Sequence, residues 1–184
     1  MKVFGIPIRT EASFFVMTLF LGMGRGFDAV LLAEWALIVF ISILVHELGH
    51  GLAGRCLGLS PEIRLHSMGG ATHFPGGKGV QPSRHIVISL AGPFSGFLFG
   101  GITLMLRSIL DPHTLLLRTL FADLLWVNFG WGLFNLLPML PLDGGNVMKS
   151  VEECITGSEK GRASHIISLL VAPGLCIWAL MEKN

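Results

Sequence analysis

Charge is what this sequence has least of. Only 14% of its 184 residues are charged, against about 25% in a typical soluble domain, and the deficit is concentrated in long apolar stretches. The formal net charge is +1, so there is no basic excess to engage nucleic acid and no acidic tail. Cysteine is also scarce. Cys56, Cys154 and Cys176 lie far apart without paired spacing, which excludes a disulfide framework and a zinc knuckle. They read as small apolar residues of the kind usually buried. A cleavable leader is not expected either, because the apolar run from Ala12 to Gly24 ends in Gly22-Met23-Gly24-Arg25 and not in a small-residue cleavage site. No internal repeat or low-complexity tract is visible. The length suits one compact unit, so residues 1–184 are expected to form a single domain without a separate regulatory domain.

What is abundant is apolar: 52% of the residues are hydrophobic. Five segments have possible membrane length. They run from Glu11 to Gly24, Trp35 to Gly54, His85 to Leu106, Leu115 to Leu137 and Ile166 to Met181. The second covers roughly 30 Å as a helix, the thickness of the hydrocarbon core. The expected fold is an all-α polytopic membrane protein, a bundle of about five to six transmembrane helices with a small membrane-associated β-element. That element is a hairpin from Pro61 to Phe74, alternating polar and apolar and expected to turn at Gly69-Gly70. Gly76 to Gly79 reads as a flexible link, and Gly144 to Ile155 as a short amphipathic helix. With the N-terminus inside, nine lysines and arginines fall on one side and four (Arg25, Arg107, Arg118 and Lys183) on the other. The excess places the N-terminus in the cytoplasm.

The second span contains His46-Glu47-Leu48-Gly49-His50. Histidines four apart on a helix share one face and reach a single metal ion, while Glu47, one position round, can touch a metal-bound water without being a ligand. Neutral imidazoles suit zinc, and a catalytic zinc keeps three protein ligands and one open position. Two ordinary hydrogen-bonded histidines are the plainer alternative. It sits badly with ionisable groups clustered in one turn of an apolar span, where each is costly. His46 lies roughly 16 Å along the span from Trp35, below the bilayer surface on the cytoplasmic side. The best third ligand is Asp143, in Asn135-Leu136-Leu137-Pro138-Met139-Leu140-Pro141-Leu142-Asp143-Gly144-Gly145. There, prolines stop the fourth helix and glycines allow a sharp turn beside a carboxylate. An ordinary turn with an exposed aspartate is the alternative.

These residues resemble the site-2 protease family of intramembrane zinc metalloproteases. The resemblance rests on His46 through His50 in an apolar helix and on Asn135 through Gly145 about ninety residues later. Gly5-Ile6-Pro7-Ile8-Arg9, Ala91-Gly92-Pro93 and Asn128 extend it over nearly the whole chain. It implies one zinc ion per chain held by His46, His50 and Asp143, with Glu47 as catalytic base. It also implies a membrane-associated sheet that includes the initial strand. Many relatives carry Asn where this chain has Ser95, so Ser95 is assigned no role.

The expected activity is hydrolysis of peptide bonds in or near transmembrane segments of membrane-protein substrates, with water activated by Glu47 on zinc as the nucleophile. Asn135 either stabilises the developing oxyanion or contacts substrate, or merely caps or bonds between helices. The expected setting is a prokaryotic cell membrane, multi-pass, with the site toward the cytoplasm. A catalytically silent membrane escort would have lost Glu47 or a ligand, and a zinc transporter would spread ligands along a path. His66, His73, His85, His113 and His165 fall in loops or at span ends, where solvated histidine is normal. Asp123, mid-span and roughly 18 Å from Asn135, is expected to pair with Arg118 or with the loop side of the bundle. Gly92, Gly96, Gly100 and Gly101 have the spacing of helix packing within a bundle.

Overall fold

The structure, a computed structural model, describes residues 1–24, 28–76, 80–158 and 160–181. Arg25, Lys78, Lys183 and the 77–79 part of the expected link lie outside the described residues, as does the side chain of Cys176. The chain opens with β1 (Lys2–Val3) and β2 (Ile6–Thr10), joined by Phe4-Gly5, both at positive φ. That is the backbone a two-residue hairpin needs to match strand twist. β2 then pairs in parallel with β3 (Glu62–His66), which pairs antiparallel with β4 (Gly69–His73). The sheet order is β1-β2-β3-β4, so the initial strand does join the hairpin.

The hairpin turns earlier than expected. His66 pairs with Gly69, which puts the turn at Ser67-Met68 and not at the glycine pair. The His66 ring accepts the Met68 N–H at 3.2 Å, and Gly69 takes a φ of 116° that a side chain would resist.

Period-two alternation puts Ile6, Ile8, Ile63 and Leu65 on one face of the sheet, where they meet Phe14 and Ile43 in a buried cluster. Each such side chain contributes about 1.5–3 kcal/mol by leaving water. Gly51 of the long helix below leaves room for Ile6, whose Cδ1 would lie 3.0 Å from a Cβ there. The sheet is thereby seated against the turn that carries the histidines.

The helices are α1 (Ala12–Met23), α2 (Ala29–Cys56), α3 (Pro82–Leu110), α4 (Leu115–Leu125), α5 (Gly132–Asn135), α6 (Asp143–Thr156) and α7 (Arg162–Met181), with a π-helical stretch over Trp126–Trp131. α2 starts earlier than expected because Asp28 caps it, accepting from Val30 N at 2.8 Å and Leu31 N at 3.1 Å. α3 starts at Pro82, whose missing N–H costs nothing in a first turn. The fourth span ends at Asn135, two residues short of expectation, ahead of Pro138.

Among the described residues, α2 and α3 are long and apolar enough to cross a membrane, with 28% and 39% of their spanning windows buried. Core helices of a soluble protein would be mostly covered. On α3, Val87, Phe94, Leu98, Ile102, Met105 and Ile109 stand exposed at helical spacing while Ile88, Gly92, Gly96 and Gly100 face inward. An exposed apolar face of this extent suits lipid, and the chain is read as a membrane protein. The glycine spacing serves packing inside the bundle: Gly92 faces His50, Gly96 faces Asn128 and Gly100 faces Phe129, whereas Gly101 faces open space. Cys56 and Cys154 are exposed free thiols, not the buried residues expected. Asp123 is buried in α4, and the Arg118 guanidinium donates to the Pro112 carbonyl at 3.1 Å.

Candidate metal centre

On α2, His46 and His50 point from one face, as a four-residue spacing requires. His50 Nδ1 lies 2.7 Å from the Ile88 carbonyl on α3. A carbonyl only accepts, so Nδ1 carries the proton and the Nε2 lone pair faces the site. Gly92, one turn further along α3, makes the space for that ring, because a Cβ there would overlap it.

Asp143 arrives from the other side of the bundle. The prolines end α5 and the loop doubles back, and α6 begins at Asp143, whose negative charge suits a helix N-terminus. Gly144 and Gly145 lie so close under the loop backbone at Leu136 and Met139 that neither position has room for a Cβ. From α7, the Ser168 hydroxyl accepts the Leu140 N–H at 2.9 Å, tying down the loop that carries the aspartate.

The result is a cluster of three. His46 Nε2 lies 3.1 Å from His50 Nε2 and 3.0 Å from Asp143 Oδ2, and His50 Nε2 lies 3.4 Å from Asp143 Oδ1. A tetrahedral zinc with bonds of about 2.0–2.1 Å sets neighbouring ligand atoms about 3.3 Å apart. The donor set and its spacing fit such an ion. Asp143 contributes a carboxylate oxygen to the set.

Glu47 is 5% exposed and adjoins the cluster without belonging to it. β4 lies across it. The Thr72 hydroxyl sits 2.7 Å from Glu47 Oε2, and a Cβ at Gly70 would stand 2.5 Å from Glu47 Cγ. A cavity of about 800 Å³ opens over the cluster, lined by Glu47, the three candidate ligands, Met68 of the hairpin turn, residues 69–72 of β4, and Asn135. Its volume is that of a ligand-binding cleft.

The structure thus brings together His46, Glu47, His50 and Asp143, with Asn135 half-buried in the same cavity. Asp123 does not line this cavity, whereas His66 and His85, expected to be merely solvated, do. Thr72, Gly70 and the Ile88 carbonyl were not anticipated, because nothing local in their sequence marks them. Gly92 stood within a quoted motif without an assigned contact. Ser95, assigned no role, places its hydroxyl 2.9 Å from the Val45 carbonyl and 2.7 Å from the Gly92 carbonyl, bridging α2 and α3 beside the histidines.

Residues 111–178 match peptidase family M50. The chain is 32% identical over 172 residues to a protein of Synechocystis provisionally named a zinc metalloprotease, covering 86% of this chain and 45% of that protein. It is 27% identical over 152 residues to a zinc metalloprotease of Methanocaldococcus jannaschii, covering 82% of this chain and 44% of the other. The chain therefore spans under half the length of these curated relatives. A solved structure of a site-2 protease from Methanocaldococcus jannaschii superposes with a TM-score of 0.71 at 26% identity, covering all of this chain and 85% of that one.

Proposed function

Because this chain belongs to the site-2 protease family, peptidase family M50, we propose that it is a zinc metalloprotease cutting peptide bonds in or beside transmembrane segments of membrane proteins. The observation that carries this reading is the convergence of the His46, His50 and Asp143 ligand atoms within 4.8 Å of one another, beside a buried glutamate.

His46 and His50 would hold a zinc ion through Nε2 and Asp143 through its carboxylate. A zinc ion held there supplies Lewis acidity toward water and a carbonyl oxygen. Glu47 acts as the base: its carboxylate takes the proton from water as the water adds to the scissile carbonyl, then returns it to the leaving amine nitrogen. Asn135 lines the same cavity, and its side-chain amide is the proposed donor to the carbonyl oxygen as negative charge builds there. The burial of Glu47 and both histidines keeps bulk water from competing. The lysine and arginine distribution supports a multi-pass protein with its N-terminus and active site toward the cytoplasm.

Zinc per chain, measured by elemental mass spectrometry, tests the ligand set together with cleavage of a membrane-protein substrate. About one zinc in the wild type, much less in Asp143→Ala, and full zinc without cleavage in Glu47→Gln are expected. A folded wild type that takes up no zinc when supplied with it would sink the proposal.

A further inference from the structure

His50 has a fixed orientation because Ile88 O holds its far nitrogen. His46 has no such partner among the described residues: its Nε2 faces the cluster, and its Nδ1 makes no hydrogen bond there. A metal-bound histidine almost always donates its second ring N–H to a carbonyl, a carboxylate or a water.

A second cavity, of about 10 Å³, is lined by residues that include His46, Ser42, Gly96 and Asn128. Space of roughly 10–15 Å³ accommodates one water. Asn128 sits in the π-helical stretch and is only 3% exposed. Its Nδ2 donates to Ser42 Oγ at 2.9 Å and to the Leu124 carbonyl at 2.8 Å. Because a carbonyl accepts only, the amide's oxygen and nitrogen cannot be exchanged. That leaves Asn128 Oδ1 as the one buried side-chain polar atom without a partner among the described residues. Such an atom is costly unless something satisfies it.

We infer that Asn128 is a positioning residue for His46, acting through one buried water that accepts from His46 Nδ1–H and donates to Asn128 Oδ1. The water satisfies the orphaned oxygen, fixes the His46 tautomer so that Nε2 keeps its lone pair for the metal, and gives His46 the support that Ile88 gives His50. The inference rests on the ligand reading above. It also gives the π-helical stretch a purpose, since wide turns of this kind recur at functional sites.

Three variants separate this role from simple interhelical bonding, read as zinc affinity by chelator competition. Asn128→Leu removes the acceptor. Gly96→Ala leaves every protein hydrogen bond of Asn128 in place and fills the cavity without a clash, its Cβ standing 3.6 Å from Asn128 O and 3.8 Å from Oδ1. Both are expected to weaken zinc about 10- to 100-fold, as loss of an outer-shell partner does. Ser42→Ala breaks the bond between α2 and the π-helical stretch but keeps the acceptor, and is expected to bind zinc within about threefold of wild type. Wild-type affinity in Gly96→Ala, or equal weakening in Ser42→Ala and Asn128→Leu, overturns the inference. Asp143→Ala measured alongside keeps the two readings apart. Undiminished zinc affinity there overturns the ligand set, whereas lost affinity there with Asn128→Leu unchanged overturns only the role of Asn128.

Discussion

Thr72 on the outer strand of the sheet reaches Glu47 on the long helix twice, with its hydroxyl 2.7 Å from Oε2 and 3.1 Å from the backbone carbonyl. The contact joins the proposed general base to the hairpin beside the cavity. A hydrogen bond to a charged group is worth about 1.5–3 kcal/mol. Thr72→Val is therefore expected to lower kcat roughly tenfold or more, with KM little changed and zinc content intact. Thr72→Ser, which keeps the hydroxyl, is expected to restore most of the rate. Steady-state kinetics on a model transmembrane substrate checks this, and a serine variant as slow as the valine variant speaks against the hydroxyl.

Gly92 has a sharper constraint. A methyl group there would overlap the His50 ring, and that ring cannot swing away without losing Ile88 O. Gly92→Ala is expected to weaken zinc by at least about tenfold, the scale of an outer-shell disruption, with helix content by circular dichroism unchanged. Retained zinc affinity in this variant means the ring has another place to sit.

How much of this was legible in the sequence depends on how local each cause is. His46, Glu47 and His50 fall within one turn, so helical geometry alone aligns them. The Asp143 loop announces itself by Pro138, Pro141 and the glycines that follow. The β-strands follow from alternation, but the hairpin turn does not, because Gly69 serves as the first strand residue at positive φ rather than as the turn itself. Thr72, Gly92 and Ile88 matter only through partners on other elements, and no periodicity encodes such contacts. The π-helical stretch is equally silent, since Trp126 to Trp131 reads as ordinary apolar helix.

The junction of α6 and α7 carries a pH dependence. Glu152 accepts from Ser164 Oγ at 2.6 Å and from the N–H groups of Ala163 and Ser164, each at 2.9 Å, capping the first turn of α7. The Ser164 hydroxyl bond, then the two backbone bonds, hold its carboxyl below the ordinary glutamate range. A depressed folded value means the contribution to stability is present above the unfolded value and is lost as pH falls through the folded one. The protection of amides at the start of α7, measured as the exchange rate relative to the intrinsic rate at each pH, is expected to fall as pH drops below the ordinary glutamate range. In Glu152→Gln this acid dependence is expected to flatten. Identical pH profiles for the two proteins count against the cap.

The last prediction concerns the form in which substrate arrives. A transmembrane helix hides its own carbonyls, so a scissile bond must be unwound before Glu47 can serve it. β4 is the outer strand of the sheet, and residues 68–72 line the cavity beside the glutamate. An extended substrate segment can add to that edge by backbone hydrogen bonds, which select for an exposed strand and not for particular side chains. Unwinding is easier where helix propensity is poor, and each glycine lowers helix stability by about 0.8–1 kcal/mol relative to alanine. A substrate with two glycines at the cytoplasmic end of its span is therefore expected to be cut roughly tenfold faster than one with uninterrupted leucine. Gel-based cleavage of the two in matched proteoliposomes decides the point. Equal rates mean that substrate unwinding does not limit the reaction, and the edge of β4 loses its role.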